Sequence, residues 1–165
     1  MILDRFKLDG RVAIVTGAGR GIGAATAVAL AEAGADVVVG ARTEADLERT
    51  AGAVRATGRR ALVVPTDVTV TSDLERLVGA TVDEFGRLDV LVNNAGGWLP
   101  RAVLETSERA FEAALRFNVT AAFVLTKLAV PHLAANGDGA VVNISSRAAS
   151  MVQPVFVAYA TAKAA

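Results

Sequence analysis

The stretch TGAGRGIG, residues 16–23, joins an apolar run, RVAIVT at 11–16, to an alanine-rich segment at 24–33. Its glycines let the backbone turn tightly and leave the peptide N–H groups uncovered. If the alanine-rich segment is a helix, its N-terminus offers unpaired N–H donors and a dipole that favours an anion. A strand, a glycine turn and a helix in this order predict a phosphate-binding turn, and the alternative is a flexible turn without a ligand.

The same alternation of short apolar runs and helical spacing continues along the chain. Four further runs are rich in valine and isoleucine and apolar on both faces, which indicates buried parallel strands. They are DVVVG (36–40), ALVVP (61–65), LDVLV (88–92) and AVVNI (140–144). The alternation predicts an α/β fold, a Rossmann-type doubly wound parallel sheet with helices on both faces, in one domain over residues 1–165.

The helical segments carry their own start and stop signals. Thr43 is the predicted N-cap of a helix over 43–56, and Ser72 with Glu75 forms a capping pair before the next helix. The long connection from about Ser107 to 135 is expected to close near Pro131 and the turn residues NGDG at 136–139.

Composition limits the class of partner. The chain has 165 residues, 53% of them hydrophobic, which is enough for one buried core. Lys plus Arg and Asp plus Glu both total 17, so no net charge attracts nucleic acid or an anionic membrane. One histidine and no cysteine leave little to build a metal site. With no apolar signal-like start and no expected membrane span, we predict a cytoplasmic protein with a small-molecule partner.

The end of the second apolar run bears on the choice of nucleotide. Sites for NAD usually place an acidic residue about 20 residues after the glycine turn, where it binds the ribose 2′-OH. Here Gly40 and Ala41 are followed by Arg42, and Arg20 lies within the turn. Two guanidinium groups suit a 2′-phosphate. We therefore predict NADP(H) as the preferred cofactor, with NAD(H) as the alternative if both arginines are ordinary surface residues.

Further motifs follow in a fixed order. NNAG occupies 93–96, Asn118 lies in the long helical segment, and Ser146 is followed by Tyr159 and Lys163. Together with the glycine turn, they make the chain closely similar to the short-chain dehydrogenase/reductase family over its whole length, in a bacterial, NADP(H)-preferring branch. This resemblance implies a hydride transfer between NADP(H) and a secondary alcohol or ketone.

The resemblance also implies a role for each matched residue. Tyr159 would exchange the proton, Lys163 would bind the nicotinamide ribose and favour the phenolate, Ser146 would orient the substrate oxygen, and Asn118 would support a proton relay. No metal is implied. The implied cofactor-binding residues are Gly17, Arg20, Gly21, Ile22, Gly23, Arg42, Asp67, Val68, Asn94, Ala95, Gly96, Tyr159 and Lys163.

The residue types themselves suit this chemistry. Tyr159 and Lys163 are four apart, so a helix would place them on one face, and a nearby cation favours a phenolate. Ser146 directly follows the fifth predicted strand, at the edge where open parallel sheets bind ligands. The alternative interpretations are an amphipathic surface pair for Tyr159 and Lys163, a polar strand end for Ser146, and a helix-buried amide for Asn118.

Family members continue beyond the position of Lys163. We therefore expect a domain that is incomplete at its C-terminus, without the last strands, so that the fifth strand forms an exposed sheet edge. A full-length parent is expected to be a homo-oligomer, a dimer or tetramer. Two other functions stay open, namely a non-catalytic NADP(H)-binding fragment and another glycine-turn enzyme such as a methyltransferase.

Overall fold

A computed structural model describes residues 2–151 and 154–165 and contains one sheet of five parallel strands. The strands are β1 (Val12–Thr16), β2 (Asp36–Ala41), β3 (Ala61–Pro65), β4 (Val90–Asn93) and β5 (Ala140–Asn143). Their order is β3-β2-β1-β4-β5, so the chain changes direction of winding between β1 and β4. Such a change opens a crevice at the carboxyl edge of the sheet.

Within the described residues, six α-helices connect and cover the strands. They are α1 (Gly21–Glu32), α2 (Glu44–Ala56), α3 (Thr71–Phe85), α4 (Glu108–Leu115), α5 (Ala121–Ala135) and α6 (Val157–Ala164). A π-helical turn, Arg116–Thr120, joins α4 to α5. Short 3₁₀ segments lie at Ile2–Phe6, Val103–Glu105 and Arg147–Ala149.

The two faces of the sheet bury separate apolar clusters. On one face, α1 and α2 contribute Ala27, Leu47 and Val54 to a cluster with β2. On the other face, α3 and α5 pack Leu77 and Leu125 against the sheet. Helices on both faces of a parallel sheet confirm the predicted doubly wound fold.

Several helix boundaries differ from the predicted ones. α1 begins at Gly21, three residues earlier than expected, so its N-terminus lies within the glycine motif. α3 begins at Thr71 with Val70 as N-cap, and the predicted capping by Ser72 is wrong. The turn before α3 is instead held by Asp67, whose carboxylate accepts from the backbone N–H of Thr69 at 2.9 Å. The turn before α3 thus depends on side-chain hydrogen bonds, whereas the start of α1 has no side-chain cap.

Two other helix ends can be compared with their predicted signals. Thr43 does precede α2, yet its side chain makes no capping hydrogen bond. α5 continues past Pro131 to Ala135, and the chain then turns at Gly137, where φ is +82°. The predicted end at residue 135, with the turn in NGDG, is therefore confirmed, and Pro131 itself lies within the helix.

The continuous helical segment Glu108–Ala135 is long and apolar enough to cross a membrane by length and composition alone. The sequence-based prediction is that no segment is long and apolar enough to span a membrane, and this segment differs from it. Its buried side chains, among them Leu125 and Leu133, pack against the sheet. A core helix of a soluble protein passes the same test, so the segment is weak evidence for a membrane span.

The amino ends of the strands are tied together by Asp89, immediately before β4. This buried carboxylate accepts from the backbone N–H of Val12 at 2.9 Å, from Arg87 Nε at 2.8 Å and from Arg11 Nη1 at 3.2 Å. Burial by itself raises the pKa of Asp89, but the hydrogen bonds from Arg87, Val12 and Arg11 outweigh it and hold that pKa below its usual range. Arg11 also pairs with Asp138, just before β5.

The edge of the sheet that β5 forms is exposed. β5 is the outermost strand beside β4, and all four of its residues are exposed. This agrees with the predicted exposed sheet edge.

Candidate functional site

A cavity of about 700 Å³ lies at the carboxyl edge of the sheet and extends from the glycine turn to α6. All of the predicted cofactor-binding residues and Ser146 line it. Asn118 lies in a neighbouring cavity of about 590 Å³, which shares Lys163 with the first. Eight further residues line the first cavity and are not among the predicted cofactor contacts: Gly19, Ala41, Thr43, Asp46, Thr66, Phe117, Ile144 and Ser145.

The glycine turn is closed on one side and open on the other. Gly17 has a φ of +64°, and a Cβ there would lie 2.8 Å from Asn94 Nδ2. A Cβ on Gly23 would collide with the same amide and with the Gly17 carbonyl. Gly21, at the N-terminus of α1, has a φ of +57° and no neighbour within 4 Å of a Cβ position. The turn therefore leaves room for an anion where the helix presents its free N–H groups.

Thr16, the last residue of β1, fastens this turn to the segment after β4. Its Oγ1 accepts from the backbone N–H groups of Asn94 and Ala95 at 3.1 and 3.0 Å. The Asn94 amide donates in return to the Thr16 carbonyl at 2.8 Å. Thr16 is not among the predicted site residues, because a threonine at the end of an apolar strand does not stand out by residue type.

Positive charge is concentrated at the end of the cavity beside β2. Arg20 and Arg42 are exposed there, and neither has a hydrogen-bond or ion-pair partner among residues 2–151 and 154–165. β2 ends at Ala41 without a carboxylate. Asp46 reaches the cavity from the first turn of α2, but it is paired with Arg49.

At the other end of the cavity, the two residues that follow β5 contact both the side chain and the backbone of Lys163. Its ammonium donates to the Ile144 carbonyl at 2.7 Å and lies 6.0 Å from the centre of the Tyr159 ring. The Ser145 hydroxyl donates to the Lys163 carbonyl at 2.9 Å, which fastens α6 to the end of β5. Burial lowers the pKa of Lys163. The predicted pair therefore shares one helix and one cavity.

Ser146 is the N-cap of the short 3₁₀ segment Arg147–Ala149, which follows β5. Its Oγ accepts from the backbone N–H of Ala148 at 3.2 Å. A hydroxyl has a second lone pair and a proton to donate, so this hydrogen bond leaves Ser146 able to bind a ligand oxygen.

Asn118 lies in the π-helical turn, and both ends of its amide are engaged. Its Oδ1 accepts from Gly97 N–H at 2.8 Å, and its Nδ2 donates to the carbonyls of Gly97 at 3.1 Å and Ala114 at 2.9 Å. A Cβ on Gly96 would lie 2.8 Å from Asn118 Oδ1 and 2.9 Å from Lys163 Nζ. Asn118 and Lys163 therefore approach the same backbone position, which only glycine leaves free.

Comparison with known proteins agrees with this architecture. The family model described as short chain dehydrogenase matches residues 11–165. An uncharacterised oxidoreductase from Mycobacterium tuberculosis is 48% identical over 166 residues, which cover 100% of this chain and 63% of that protein. The structure of a 7α-hydroxysteroid dehydrogenase complexed with NADH and 7-oxo glycochenodeoxycholic acid superposes with a TM-score of 0.94 at 35% identity.

That structure matches 98% of this chain and 63% of its own. The carveol dehydrogenase from Mycobacterium avium in complex with NAD superposes with a TM-score of 0.90 at 30% identity, covering 96% of this chain and 62% of its own. This chain thus spans a little under two thirds of the length of the relatives that it matches. Because the family model covers nearly every residue, the chain belongs to the short-chain dehydrogenase family.

Proposed function

We propose that this protein is an oxidoreductase that transfers a hydride between NADP(H) and a secondary alcohol or ketone. One observation carries the proposal: a single cavity is lined by Arg20 and Arg42 at one end and by Tyr159 and Lys163 at the other. We infer that residues 1–165 form one dinucleotide-binding domain and that the whole protein assembles as a homo-oligomer. Family membership supports a small-molecule substrate.

The residues of the cavity suit each part of such a cofactor. Gly17, Gly21, Ile22 and Gly23 would receive the pyrophosphate at the N-terminus of α1, where Gly21 leaves open space. The guanidinium groups of Arg20 and Arg42 would bind the 2′-phosphate.

Different segments of the chain would bind the adenosine end and the nicotinamide end of the cofactor. Asp67 and Val68 would contact the adenine, and Asn94, Ala95 and Gly96 would line the adenosine side. Tyr159 and Lys163 would bind the nicotinamide ribose. Both solved relatives carry a nicotinamide cofactor without a 2′-phosphate, so the preference for NADP(H) rests on the two arginines alone.

A bound nicotinamide supplies or accepts the hydride. In reduction, the Tyr159 hydroxyl gives its proton to the substrate oxygen, and in oxidation the phenolate takes that proton back. The Lys163 ammonium favours the phenolate because a nearby cation stabilises an anion. Ser146 donates a hydrogen bond to the substrate oxygen and fixes its position. The proton would then pass through water to solvent, and Asn118, which approaches Lys163 at Gly96, would support this water-mediated relay by its position rather than by carrying the proton.

The substrate class follows from the same hydroxyl pair. Ser146 and Tyr159 both suit an oxygen that alternates between alcohol and ketone, since each hydroxyl can donate and accept. The hydroxysteroid dehydrogenase structure holds a 7-oxo compound, which supports a ketone as the oxidised substrate.

Tyr159→Phe tests the proton step. We expect turnover to fall below detection while NADPH affinity changes little, because the substitution removes only the hydroxyl. Activity is measured with a panel of secondary alcohols and ketones, and binding by NADPH fluorescence. Turnover at the level of the unsubstituted protein would remove tyrosine from the mechanism.

Titration with NADPH and NADH separates the remaining alternatives. NADPH-selective binding with turnover supports the oxidoreductase, whereas NADPH binding without turnover of any alcohol or ketone supports a non-catalytic binding protein. Absence of binding to both nucleotides would overturn the proposal and favour another glycine-turn function.

A further inference from the structure

We infer that Arg116 is a positioning residue that ties the β3–α3 loop, residues 66–70, to the π-helical turn that carries Asn118. The inference rests on the proposed function, because it joins the adenine end of the cofactor cavity to the residue proposed for the proton relay. Arg116 lies outside both cavity linings, so it would act only through its neighbours.

The contacts of Arg116 point to backbone anchoring. It is the first residue of the π-helical turn, two positions before Asn118. Its Nη2 and Nε donate to the Thr69 carbonyl at 2.8 and 3.3 Å, and Nη2 also reaches Thr71 Oγ1 at 3.4 Å. Within the described part of the chain it forms no ion pair. A planar guanidinium directed at a carbonyl restrains both position and orientation.

Thr69 transmits this restraint to the proposed adenine contact. Its backbone N–H and its hydroxyl both donate to Asp67 Oδ1, at 2.9 and 2.7 Å. The Asp67 backbone N–H in turn donates to Asp73 Oδ2 at 2.8 Å, on the first turn of α3. A shift of the Thr69 carbonyl would therefore displace the Asp67 carboxylate.

Two residues of the site, Phe117 and Asn118, directly follow Arg116 in the chain. Phe117 lines the cofactor cavity, and Asn118 is held against Gly97 and Ala114. The π-helical turn departs from regular α-helical hydrogen bonding, so its geometry depends on side-chain contacts such as these. One guanidinium thus restrains the adenine loop and the relay amide together.

The test compares Arg116→Ala and Arg116→Lys with the matched control Arg109→Ala. Arg109 is exposed on α4 and has no hydrogen-bond or ion-pair partner among the residues that the structure describes. For Arg116→Ala we expect NADPH affinity to fall by about tenfold, because the loop that carries Asp67 must then be ordered when the cofactor binds, at a cost of about one net hydrogen bond. We also expect kcat to fall and its pH profile to shift, since Asn118 loses its fixed position.

Arg116→Lys should recover part of both losses, because an ammonium can reach one carbonyl but lacks the guanidinium fork. Arg109→Ala should match the unsubstituted protein in all readouts. If Arg116→Ala does not fold, NADPH affinity and the kcat–pH profile of Arg116→Lys are compared with those of Arg109→Ala instead. Unchanged NADPH affinity and an unchanged kcat–pH profile in the folded variants would overturn the inference.

Hydrogen exchange separates this inference from the proposed function. Without any nucleotide, Arg116→Ala should speed exchange of the Thr69 and Val70 amides, which are bonded to Asp67, relative to Arg109→Ala. Equal exchange in the two variants would overturn the anchoring even if NADPH binds. Faster exchange in a protein that binds neither nucleotide would sustain the anchoring and reject the proposed function alone.

Discussion

Under the proposed function, single side chains at the end of the cavity beside β2 would discriminate between the two nicotinamide cofactors. Arg42 follows β2 directly and has no partner among the described residues, so its guanidinium is available to a 2′-phosphate. We expect Arg42→Ala to weaken NADPH binding by about tenfold or more, because a charge-assisted hydrogen bond is lost. NADH binding, which lacks this phosphate, should change little. Fluorescence titration of both cofactors measures the ratio.

Arg20→Ala should act in the same direction, and NADH serves as the internal control for both variants. If NADPH and NADH affinities fell equally, the arginines would contact the pyrophosphate or the fold rather than the 2′-phosphate. The double variant should bind both cofactors with similar affinity.

Gly96 controls how closely the relay amide and the lysine approach each other. A methyl group there would lie within 3 Å of both Asn118 Oδ1 and Lys163 Nζ, so one of them must move. We expect Gly96→Ala to reduce kcat by about tenfold or more, since small displacements of catalytic groups have large effects. NADPH affinity should fall much less. Steady-state kinetics with direct NADPH titration separates the two quantities.

Gly52→Ala is the control for Gly96→Ala. Gly52 lies within α2, where an added Cβ meets no atom within 4 Å. Alanine there should leave kcat unchanged and stabilise the fold slightly, because glycine is a poor helix former. A Gly96→Ala protein with the kcat of Gly52→Ala would show that Lys163 and Asn118 do not act through this approach.

At the residue scale, the sequence predicts groups with distinctive chemistry more readily than the residues that hold them. The glycines, Arg42, Tyr159 and Lys163 stand out because their type and spacing are unusual. Thr16 and Arg116 do not, since a threonine at a strand end and an arginine on a helix have many ordinary uses. Their importance follows from partners 78 and 47 residues away.

At the level of strands and helices, Asp89 joins the starts of β1 and β4. Its carboxylate is buried and accepts four hydrogen bonds, one each from Val12 and Arg11 and two from Arg87. We expect Asp89→Asn to lower the free energy of unfolding by about 3 kcal/mol at pH 7, because it leaves Arg87 without its anion and Arg11 with Asp138 alone. Urea denaturation followed by circular dichroism measures the loss.

The pH dependence of this effect has a defined sign. Because the folded protein holds the pKa of Asp89 below its usual range, the carboxylate stabilises the fold above about pH 4 and this stabilisation is lost as the pH falls further. The difference between the unsubstituted protein and Asp89→Asn should therefore shrink between about pH 5 and pH 3. A difference that stays constant over this range would assign the effect to packing.

The sequence predicts the order of strands and helices well because each strand is a short apolar run between turn residues. It predicts boundaries less well because local hydrogen bonds set them. The Asp67 carboxylate shapes the turn before α3, which begins at Thr71 rather than after Ser72. The π-helical turn at Arg116–Thr120 is also difficult to predict from the sequence, because one extra residue per turn barely alters the helical periodicity.

For the whole molecule, the cavity combines segments from both ends of the chain. The glycine turn lies near residue 20 and α6 near residue 160, and the parallel strand order brings them to one edge of the sheet. From the sequence, the proximity of these two segments is predicted only by the general rule that parallel sheets bind ligands at the carboxyl ends of their strands. The distances between the groups come from the fold.

Because the cavity spans these segments, a bound dinucleotide should stabilise the molecule as a unit. At about 100 times its Kd, NADPH should add about 2.7 kcal/mol to the free energy of unfolding, which raises Tm by about 5–10 °C for a domain of this size. Differential scanning fluorimetry measures the shift. A Tm that does not respond to NADPH at any concentration would reject dinucleotide binding.

Hydrogen exchange then shows how far along the cavity the ligand reaches. NADPH should slow exchange both at the glycine turn and in Val157–Ala164, whereas adenosine 2′-phosphate should protect only the end that carries Arg20 and Arg42. This contrast follows because only the dinucleotide is long enough to meet Tyr159 and Lys163. If NADPH protected the glycine turn and left α6 unchanged, the nicotinamide would not reach the tyrosine, and binding without catalysis would be the better account of this chain.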